Sequence, residues 1–238
     1  MRDMHGNLKK IDSIEHESLT VVSNDDLRIV RDRSLYERRF KRPLDIVATS
    51  ALLVVTLPIS LSLAVAVRAG LGNGIFYRQD RIGLGGEPFT ILKFRTMRHD
   101  RRRSEVGELS MAPVQQDRRS EHKGDDDPRH TGLGRLLRRL SLDELPQLLN
   151  VLRGEMSLVG PRPELIGVAS ARGYKDHVRH DVRPGMTGPY QVSELRLNGD
   201  LRDGLELDEE YVNNLSFRND LRYLVRTIGV MLGGSSGR

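Results

Sequence analysis

One uncharged run, from Ile46 to Val67, dominates the pattern of hydrophobic and polar positions along the chain. As a straight helix it would be about 33 Å long at 1.5 Å per residue, and the hydrocarbon core of a bilayer is about 30 Å thick. Its length therefore permits a membrane span. The run also has no polar face, which disfavours a buried helix of a soluble protein.

Two features of this run argue against a plain span. Pro58, near its centre, removes a backbone hydrogen bond and kinks a helix. Basic residues precede and follow the run, and positively charged flanks prefer the cytoplasmic side of a membrane. The pattern therefore leaves open a plain span and a re-entrant helix that bends at Pro58 and returns. The basic flanking residues are Arg38, Arg39, Lys41 and Arg42 before the run and Arg68, Arg78 and Arg81 after it.

The residues before the apolar run, 1–33, are polar and charged and are predicted to form a loosely held tail. Ser34 and Glu37 have the spacing of a capping box, which predicts that a helix begins there. We therefore divide the chain into a tail (1–33), a membrane-associated segment (34–70) and a cytosolic domain (71–238).

The cytosolic domain is predicted to be α+β, mostly helical, with a small sheet. Residues 75–97 are typical of two strands around a glycine-rich turn, which predicts a hairpin. Residues 98–130 are dense in charge and favour a solvated loop over a metal site at its three aspartates, 125–127. Leucines between residues 145 and 152 follow helical spacing up to Gly154, a predicted helix end. Residues 207–232 predict one or two amphipathic helices.

Composition narrows the classes of partner. The net charge is +5 and the pI is about 9.7, so the surface attracts nucleic acid, anionic lipid or phosphate-bearing substrates. Aromatic residues make up only 5% of the chain, which provides few platforms for stacking bases and disfavours nucleic acid. The absence of cysteine excludes disulfides and thiolate metal sites.

The candidate chemistry centres on Asp143 and Glu144, which are predicted to lie at the start of a helix. Arg162 follows between two prolines, and Arg183 begins a second stiff turn. Carboxylates suit Mg²⁺, arginine forks match phosphate, and an aspartate can act as a nucleophile in phosphoryl transfer. The residues alone also permit a structural reading. Glu144 would then complete a capping box with Ser141, and the helix dipole would keep Asp143 ionised at neutral pH.

These motifs together resemble the bacterial sugar transferases, also called monotopic phosphoglycosyl transferases, from about Phe40 to about Thr227. Any single motif could be chance, but all of them in one order are a specific signal. Two departures concern Leu57, where many members carry serine before the proline, and Tyr190, where many carry a tryptophan or small residue. The matching runs are Lys41–Asp45, Pro58, Arg78–Gly83, Lys93–Met97, Ser141–Gln147, Asn150–Gly154, Met156–Pro163 and Arg183–Gly188.

The resemblance implies roles for particular residues. Asp143 would be the nucleophile, Glu144 the neighbouring carboxylate that holds Mg²⁺, and Pro58 the break in a re-entrant helix. The residues implied at the lipid head groups are Lys41, Arg42 and Asp45. The residues implied at the substrate are Lys93, Arg95, Arg138, Pro161, Arg162, Pro163, Arg183, Gly185, Thr187 and Gln191. His177 and His180 show no convincing metal-ligand spacing and are predicted to be surface residues.

The resemblance implies an enzyme on the cytoplasmic face of the bacterial inner membrane. It would transfer a sugar-1-phosphate from a UDP-sugar to undecaprenyl phosphate and release UMP, the initiating step of exopolysaccharide or related glycan synthesis. Its partners would be a UDP-sugar, polyprenyl phosphate and the membrane, with no nucleic acid. Composition alone also permits a non-enzymatic, membrane-attached basic binding protein. The sequence identifies neither the sugar nor the glycan, and it leaves open whether the protein forms a homodimer.

Overall fold

The structure, a computed structural model, describes residues 33–97, 131–193 and 201–232, the last range with side chains from 204 to 231. Most of the predicted tail (1–33) lies outside these residues. So does the charged loop (98–130) with its three aspartates, and both predictions therefore stay untested.

The apolar run forms one long helix. The Ser34 hydroxyl accepts a hydrogen bond from the Glu37 backbone N–H at 3.2 Å, so the helix begins where the capping pattern predicted. A π-helical turn, Tyr36–Phe40, leads into α1, Lys41–Leu71. Helix α1 is about 46 Å long and runs without interruption through Pro58, so a break at Pro58 stays a prediction.

Hydroxyl groups on either side of Pro58 bond to the helix backbone. The Thr56 hydroxyl donates to the Leu52 carbonyl at 2.7 Å, and the Ser62 hydroxyl donates to the Pro58 carbonyl at 2.9 Å. A serine or threonine hydroxyl can donate a hydrogen bond to the backbone carbonyl four residues earlier in the same helix. Such a bond often bends the helix. Because each hydroxyl proton is already hydrogen-bonded to the helix backbone, Thr56 and Ser62 can lie in an apolar helix.

Helix α1 packs one face against the domain, and its other side makes little contact with the residues that the structure describes. Lys41, Asp45 and Thr49 are buried near its start, and Val67 is buried near its end. Only 6% of its most apolar window, of mean hydropathy 2.3, is buried, and the helix is long and apolar enough to cross a membrane. Large apolar side chains on the other face are exposed: Leu44, Ile46, Val47, Leu52, Val54, Val55, Leu57, Ile59, Leu61 and Val65.

The predicted hairpin is confirmed. Strand β1, Phe76–Ile82, pairs antiparallel with β2, Pro88–Phe94. The turn between them contains Gly85 and Gly86 with φ of 68° and 83°, a left-handed conformation that glycine adopts at little cost.

A second small sheet joins β3, Ser157–Val159, to β4, Gly185–Thr187, in parallel. The backbones approach closely here, because a Cβ added to Gly185 would lie 2.1 Å from the Gly160 nitrogen. The expected mixed fold with small sheet content is therefore observed, as two separate two-stranded sheets among the described residues.

Helices and short turns fill the rest of the described domain. Thr131 caps α2, where its hydroxyl accepts from the Gly134 N–H at 3.0 Å. Gly154, with φ of 86°, ends α3 as predicted. The predicted C-terminal helical region is two helices, α6 and α7. The helices are α2 (Gly132–Arg139), α3 (Gln147–Arg153), α4 (Ile166–Ala171), α5 (Pro189–Val192), α6 (Leu201–Asn213) and α7 (Phe217–Leu232), with 3₁₀ turns at Leu142–Glu144 and Val178–Asp181.

The main hydrophobic core lies around α3. Leu148 and Val151 of this helix pack with Ile91 of β2, Val159 of β3 and Val212 of α6. A second cluster joins the end of α1 to the hairpin and α2, through Val67, Phe94 and Leu137. Helix α3 is thus buried between the hairpin and the C-terminal helices, and both clusters are in contact with α1.

A buried polar network fastens the start of α1 to the domain. The Lys41 ammonium donates to Asp220 Oδ2 of α7 at 2.5 Å and to the Val159 carbonyl at 3.0 Å. The hydroxyls of Tyr36 and Tyr211 each donate to the Asp220 carboxylate at 2.8 Å. The carboxylate therefore has three donors, which a buried charge requires.

The next residues of α1 extend this junction. The Arg42 guanidinium donates to the Val151 and Leu152 carbonyls at 2.6 and 2.9 Å, at the C-terminal end of α3. The Asp45 carboxylate accepts from the Ser157 hydroxyl at 2.8 Å and from the Leu158 N–H at 3.2 Å. Lys41, Arg42 and Asp45 thus bind the domain itself, and their role at lipid head groups stays a prediction.

The junction yields a test of stability. Asp220→Asn leaves the Lys41 ammonium buried beside a neutral partner, so we expect the free energy of unfolding to fall by about 3–5 kcal/mol. Chemical denaturation of the detergent-solubilised protein measures it. Glu206→Gln, at an exposed carboxylate of α6, is the matched control and should change stability by less than about 0.5 kcal/mol. Equal stability of both variants would contradict the structural importance of the Lys41–Asp220 pair.

Candidate active site

The two candidate carboxylates lie on the 3₁₀ turn Leu142–Glu144, directly before α3. Ser141 precedes the turn with φ of 55°, a left-handed conformation that is unusual outside glycine and is often found at functional sites. The capping box proposed for Ser141 and Glu144 is wrong. The left-handed backbone makes Ser141 a tight link between α2 and the turn, and its side chain makes no capping hydrogen bond among the described residues.

Glu144 instead pairs with the hairpin. Its Oε1 accepts a hydrogen bond from the Lys93 ammonium of β2 at 2.5 Å. Glu144 is half-buried, whereas Asp143 beside it is buried. Two adjacent carboxylates therefore have different surroundings, one paired and partly open, the other buried.

Burial raises the pKa of Asp143 from its ordinary value to about 6. The charge of Lys93 opposes this rise, that of Glu144 adds to it, and that of Arg138 opposes it more weakly. The sequence predicted an aspartate kept ionised by a helix dipole. At neutral pH Asp143 is still mostly ionised, but the direction of its pKa shift is upward because loss of water outweighs the favourable charges.

The pKa of Glu144 shifts the other way. Burial disfavours its anion, but the charge and hydrogen bond of Lys93, helped by Arg162 and Gln147, outweigh burial and hold the pKa below its ordinary value. Neighbouring carboxylates whose pKa values are pushed apart are typical of acid, base and nucleophile assignments. The site therefore offers one firmly ionised carboxylate and one that titrates near neutrality.

Arginines complete the cluster. Arg162 is exposed, stands between the buried prolines Pro161 and Pro163, and is close enough to lower the pKa of Glu144. The Arg138 guanidinium of α2 donates to the Thr96 hydroxyl at 3.1 Å and lowers the pKa of Asp143. The fold thus gathers five predicted residues at one place: Lys93, Arg138, Asp143, Glu144 and Arg162.

Two predicted substrate-binding arginines have other contacts. Arg95 is buried and donates to the carbonyls of Leu71, Gly72 and Asn73, so it caps the C-terminal end of α1. Arg183 donates from Nε to the Gly154 carbonyl at 2.8 Å, just past the end of α3. Their donors stabilise helix ends, and a role at the substrate stays a prediction for each.

The remaining predicted substrate-binding residues are Gly185 and Thr187 of β4 and Gln191 of α5. Gly185 is held in β4 by its close approach to Gly160, and the Thr187 hydroxyl lies 2.5 Å from that of Thr227. Gln191 Oε1 is buried without a hydrogen-bond partner among the described residues. Substrate contacts of these residues likewise stay predictions.

The structure adds residues that the sequence analysis did not select. Gln147 is buried beside Glu144, and the motif Ser141–Gln147 already contained it. Arg179 and Asp208 form a buried ion pair of 2.9 Å behind the Arg162 segment, which no local sequence pattern announces. The surface position predicted for His180 is wrong, because the side chain is buried and its pKa falls to about 4 through burial and the charge of Arg179.

The chain belongs to the bacterial sugar transferase family, whose model matches residues 36–234. Among similar proteins is the UDP-glucose:undecaprenyl-phosphate glucose-1-phosphate transferase of Caulobacter vibrioides. It is 40% identical over 81% of this chain and 69% of its own length.

Two further relatives show the range of lengths. The exopolysaccharide production protein ExoY of Rhizobium meliloti is 40% identical over 79% of this chain and 83% of its own length. A sugar transferase of Haemophilus influenzae is 40% identical over 91% of this chain, which spans only 45% of that relative. The shared region in each case includes most of this chain.

The divergent pKa values predict opposite effects on stability. Ionised Asp143 destabilises the fold because its folded pKa is raised, so Asp143→Asn should stabilise the protein at pH 7.5, by at most about 3 kcal/mol. The gain should shrink as pH falls below about 6 and vanish below about pH 3, where Asp143 is protonated in both the folded and the unfolded state. Thermal unfolding between about pH 3 and 8 measures the difference in stability.

Glu144→Gln is the matched control with the opposite sign. Because the folded pKa of Glu144 is lowered, its anion stabilises the fold above the ordinary pKa, and this contribution disappears in acid. The variant should therefore be less stable than the wild type at pH 7.5 and approach it as pH falls. Parallel behaviour of the two variants would contradict the assignment of a buried and a paired carboxylate.

Proposed function

We propose that this protein transfers a sugar-1-phosphate from a UDP-sugar to undecaprenyl phosphate and releases UMP. The observation that carries the proposal is the buried Asp143 beside the Lys93–Glu144 ion pair, with Arg162 exposed next to them. Membership of the sugar transferase family and the activity named for the Caulobacter vibrioides relative support the choice of reaction.

Asp143 acts as the nucleophile in the first half-reaction. An oxygen of its carboxylate forms a bond to the β-phosphorus of the UDP-sugar, and the bond from that phosphorus to the bridging oxygen breaks, so UMP leaves. The pKa of about 6 makes this carboxylate more basic than an ordinary aspartate, while it stays mostly ionised at neutral pH.

The second half-reaction regenerates the enzyme. A phosphate oxygen of undecaprenyl phosphate attacks the same phosphorus, and the aspartyl–phosphorus bond breaks. The product is undecaprenyl diphosphate sugar, and Asp143 is again a carboxylate. No proton need be stored between the two steps, because the attacking groups are both anions.

The cations around the carboxylates bind and neutralise phosphate. Arg162 presents a planar fork that matches two phosphate oxygens. Arg138 lies near enough to lower the pKa of Asp143, and its positive charge would attract the phosphate of the departing UMP. Lys93 forms an ion pair with Glu144. Its positive charge reduces the repulsion between the two carboxylates of the site and the diphosphate of the substrate.

Glu144 fits the Mg²⁺ proposed for this site. Magnesium is bound by one or two carboxylates together with substrate phosphates and water, rather than by a protein cage. The described residues contain no group of three or more acidic or histidine ligands, and Glu144 is ionised and partly exposed. Bound with the diphosphate, the ion would neutralise charge on the leaving group.

We propose that α1 is re-entrant and that both its ends lie on the cytoplasmic side. Near its start, Lys41 and Arg42 contact β3 and α3; near its end, Val67 packs with Phe94 and Leu137. A straight crossing would separate these ends by the bilayer, yet both contact the same domain. The exposed apolar face of α1 then lies in one leaflet, where polyprenyl phosphate is found, and the site opens at the cytoplasmic face.

A covalent intermediate tests the reaction. Protein quenched with a UDP-sugar and no lipid acceptor should carry a sugar-phosphate and release one equivalent of UMP, measured by mass spectrometry and chromatography. Asp143→Asn should abolish the adduct, because the amide is not a nucleophile. Glu144→Gln should keep the adduct but form it more slowly, with partial recovery at high Mg²⁺.

Kinetics provide an independent control for the same mechanism. A covalent intermediate predicts parallel double-reciprocal lines when both substrates are varied. Intersecting lines with an undiminished adduct in Asp143→Asn would overturn Asp143 as the nucleophile. A non-enzymatic binding protein would release no UMP under any of these conditions.

The topology has its own test, because the chain contains no cysteine. Single cysteines at Arg39 and Asn73, exposed at the two ends of α1, should both resist a membrane-impermeant thiol reagent in intact cells. Both should react once the inner membrane is opened. Leu57→Cys, in the apolar part of α1, is the control and should resist in both conditions. Labelling of one end alone in intact cells would contradict the re-entrant arrangement.

A further inference from the structure

The backbone on both sides of Arg162 is fixed by hydrogen bonds to the rest of the domain. Four consecutive carbonyl groups, those of residues 161–164, each accept a hydrogen bond from another part of the domain. Their donors are the Gly185 N–H (2.8 Å), Arg179 Nη2 (2.7 Å), Arg81 Nη1 (3.3 Å) and the Ile82 N–H (3.0 Å), in that order. The carbonyl of Arg162 itself is bound by Arg179.

Arg179 is in turn fixed by α6. The nitrogen that binds the Arg162 carbonyl, Nη2, also lies 2.9 Å from Asp208 Oδ2. The Arg179 side chain is buried, and Asp208 is only 1% exposed. The guanidinium also stacks over the Tyr174 ring, with its carbon 5.8 Å from the ring centre. One planar group is therefore held by three contacts in a single orientation.

Stability alone does not explain this pair. Two buried charges lose their water, and well-packed apolar residues of similar size often stabilise a protein as much or more. The pair instead fixes the orientation of the Arg179 guanidinium. Nη2 carries two hydrogens, so it can donate to the Asp208 carboxylate and to the Arg162 carbonyl at the same time. A lysine has one nitrogen at the end of a flexible chain and would not keep this geometry.

We infer that Arg179, oriented by Asp208, is a positioning residue that sets the Arg162 guanidinium against the substrate phosphate. The inference rests on the phosphate-binding role proposed for Arg162. Arg179 does not touch substrate in this account, and its effect passes through the backbone carbonyl of Arg162. A shift of this segment by a fraction of an ångström would displace the phosphate fork and slow the transfer, since misplacement of about 1 Å can cost about 100-fold in rate.

A kinetic double-mutant cycle tests the inference. Arg179→Lys, Arg162→Lys and the double variant are compared with the wild type for UMP release from a UDP-sugar with undecaprenyl phosphate. Each single variant should lose about tenfold or more in kcat/KM. Adding Arg179→Lys to Arg162→Lys should cost less than about twofold further, because the group that Arg179 positions has already lost its fork.

Val212→Ala is the matched structural control. Val212 is fully buried on the same helix as Asp208 and packs in the main core cluster, so its truncation lowers stability by leaving a cavity there. Folded Val212→Ala protein should have a kcat/KM near that of the wild type. Adding Val212→Ala to Arg162→Lys should change kcat/KM by the same factor as adding it to the wild type. Thermal unfolding of each variant confirms that folded protein is compared.

The outcomes separate three cases. If Arg179→Lys lowers kcat/KM by the same factor in the wild type and in Arg162→Lys, Arg179 has only a structural role and the inference is overturned. If Arg179→Lys fails to fold, Asp208→Asn replaces it in the same cycle, and independent losses there overturn the inference equally. Wild-type protein that releases no UMP would instead refute the proposed function, whatever the variants do.

Discussion

The structure depends on a lysine ammonium and an aspartate carboxylate that are buried where the apolar helix meets the domain. Removing two such charges from water costs several kcal/mol for each, and the pair is stable only if other groups complete its hydrogen bonds. The Val159 carbonyl does so for Lys41, and the hydroxyls of Tyr36 and Tyr211 do so for Asp220. This requirement fixes the start of α1, β3, α6 and α7 in one arrangement.

The same junction places the site relative to the apolar helix. Val159, which binds Lys41, ends β3 and is followed directly by the segment that carries Arg162. Arg42 binds the C-terminal end of α3, and the turn with Asp143 and Glu144 leads into the N-terminal end of the same helix. Both halves of the site are thus connected to the same end of α1.

The electrostatics of the site follow from which groups this arrangement buries. Asp143 loses most of its water, and this loss outweighs the opposing charges of Lys93 and Arg138, so its pKa rises. Glu144, one residue further, meets Lys93 from a hairpin that packs against α3, so its pKa falls. Two neighbouring positions on one 3₁₀ turn therefore hold a carboxylate with a raised pKa and a carboxylate with a lowered pKa.

The sequence by itself determined the features that depend on near neighbours. Ser34 begins the long helix, Gly154 ends α3, the glycine-rich turn makes the hairpin, and two prolines stiffen the backbone at Arg162. In each case the decisive hydrogen bond or φ angle lies within a few residues, so a local pattern is enough to predict it. The family motifs likewise located Asp143 and Glu144 at the start of a helix.

Only the tertiary structure decided which charges meet. Lys41 and Asp220 are 179 positions apart. The contact between the Arg95 guanidinium and the carbonyls at the end of α1 likewise depends on how the hairpin packs against that helix. The capping box at Ser141 failed because a tight link between two elements imposed a left-handed backbone. The raised pKa of Asp143 was equally beyond a local pattern, because it reflects burial, and burial depends on packing by residues distant in the chain.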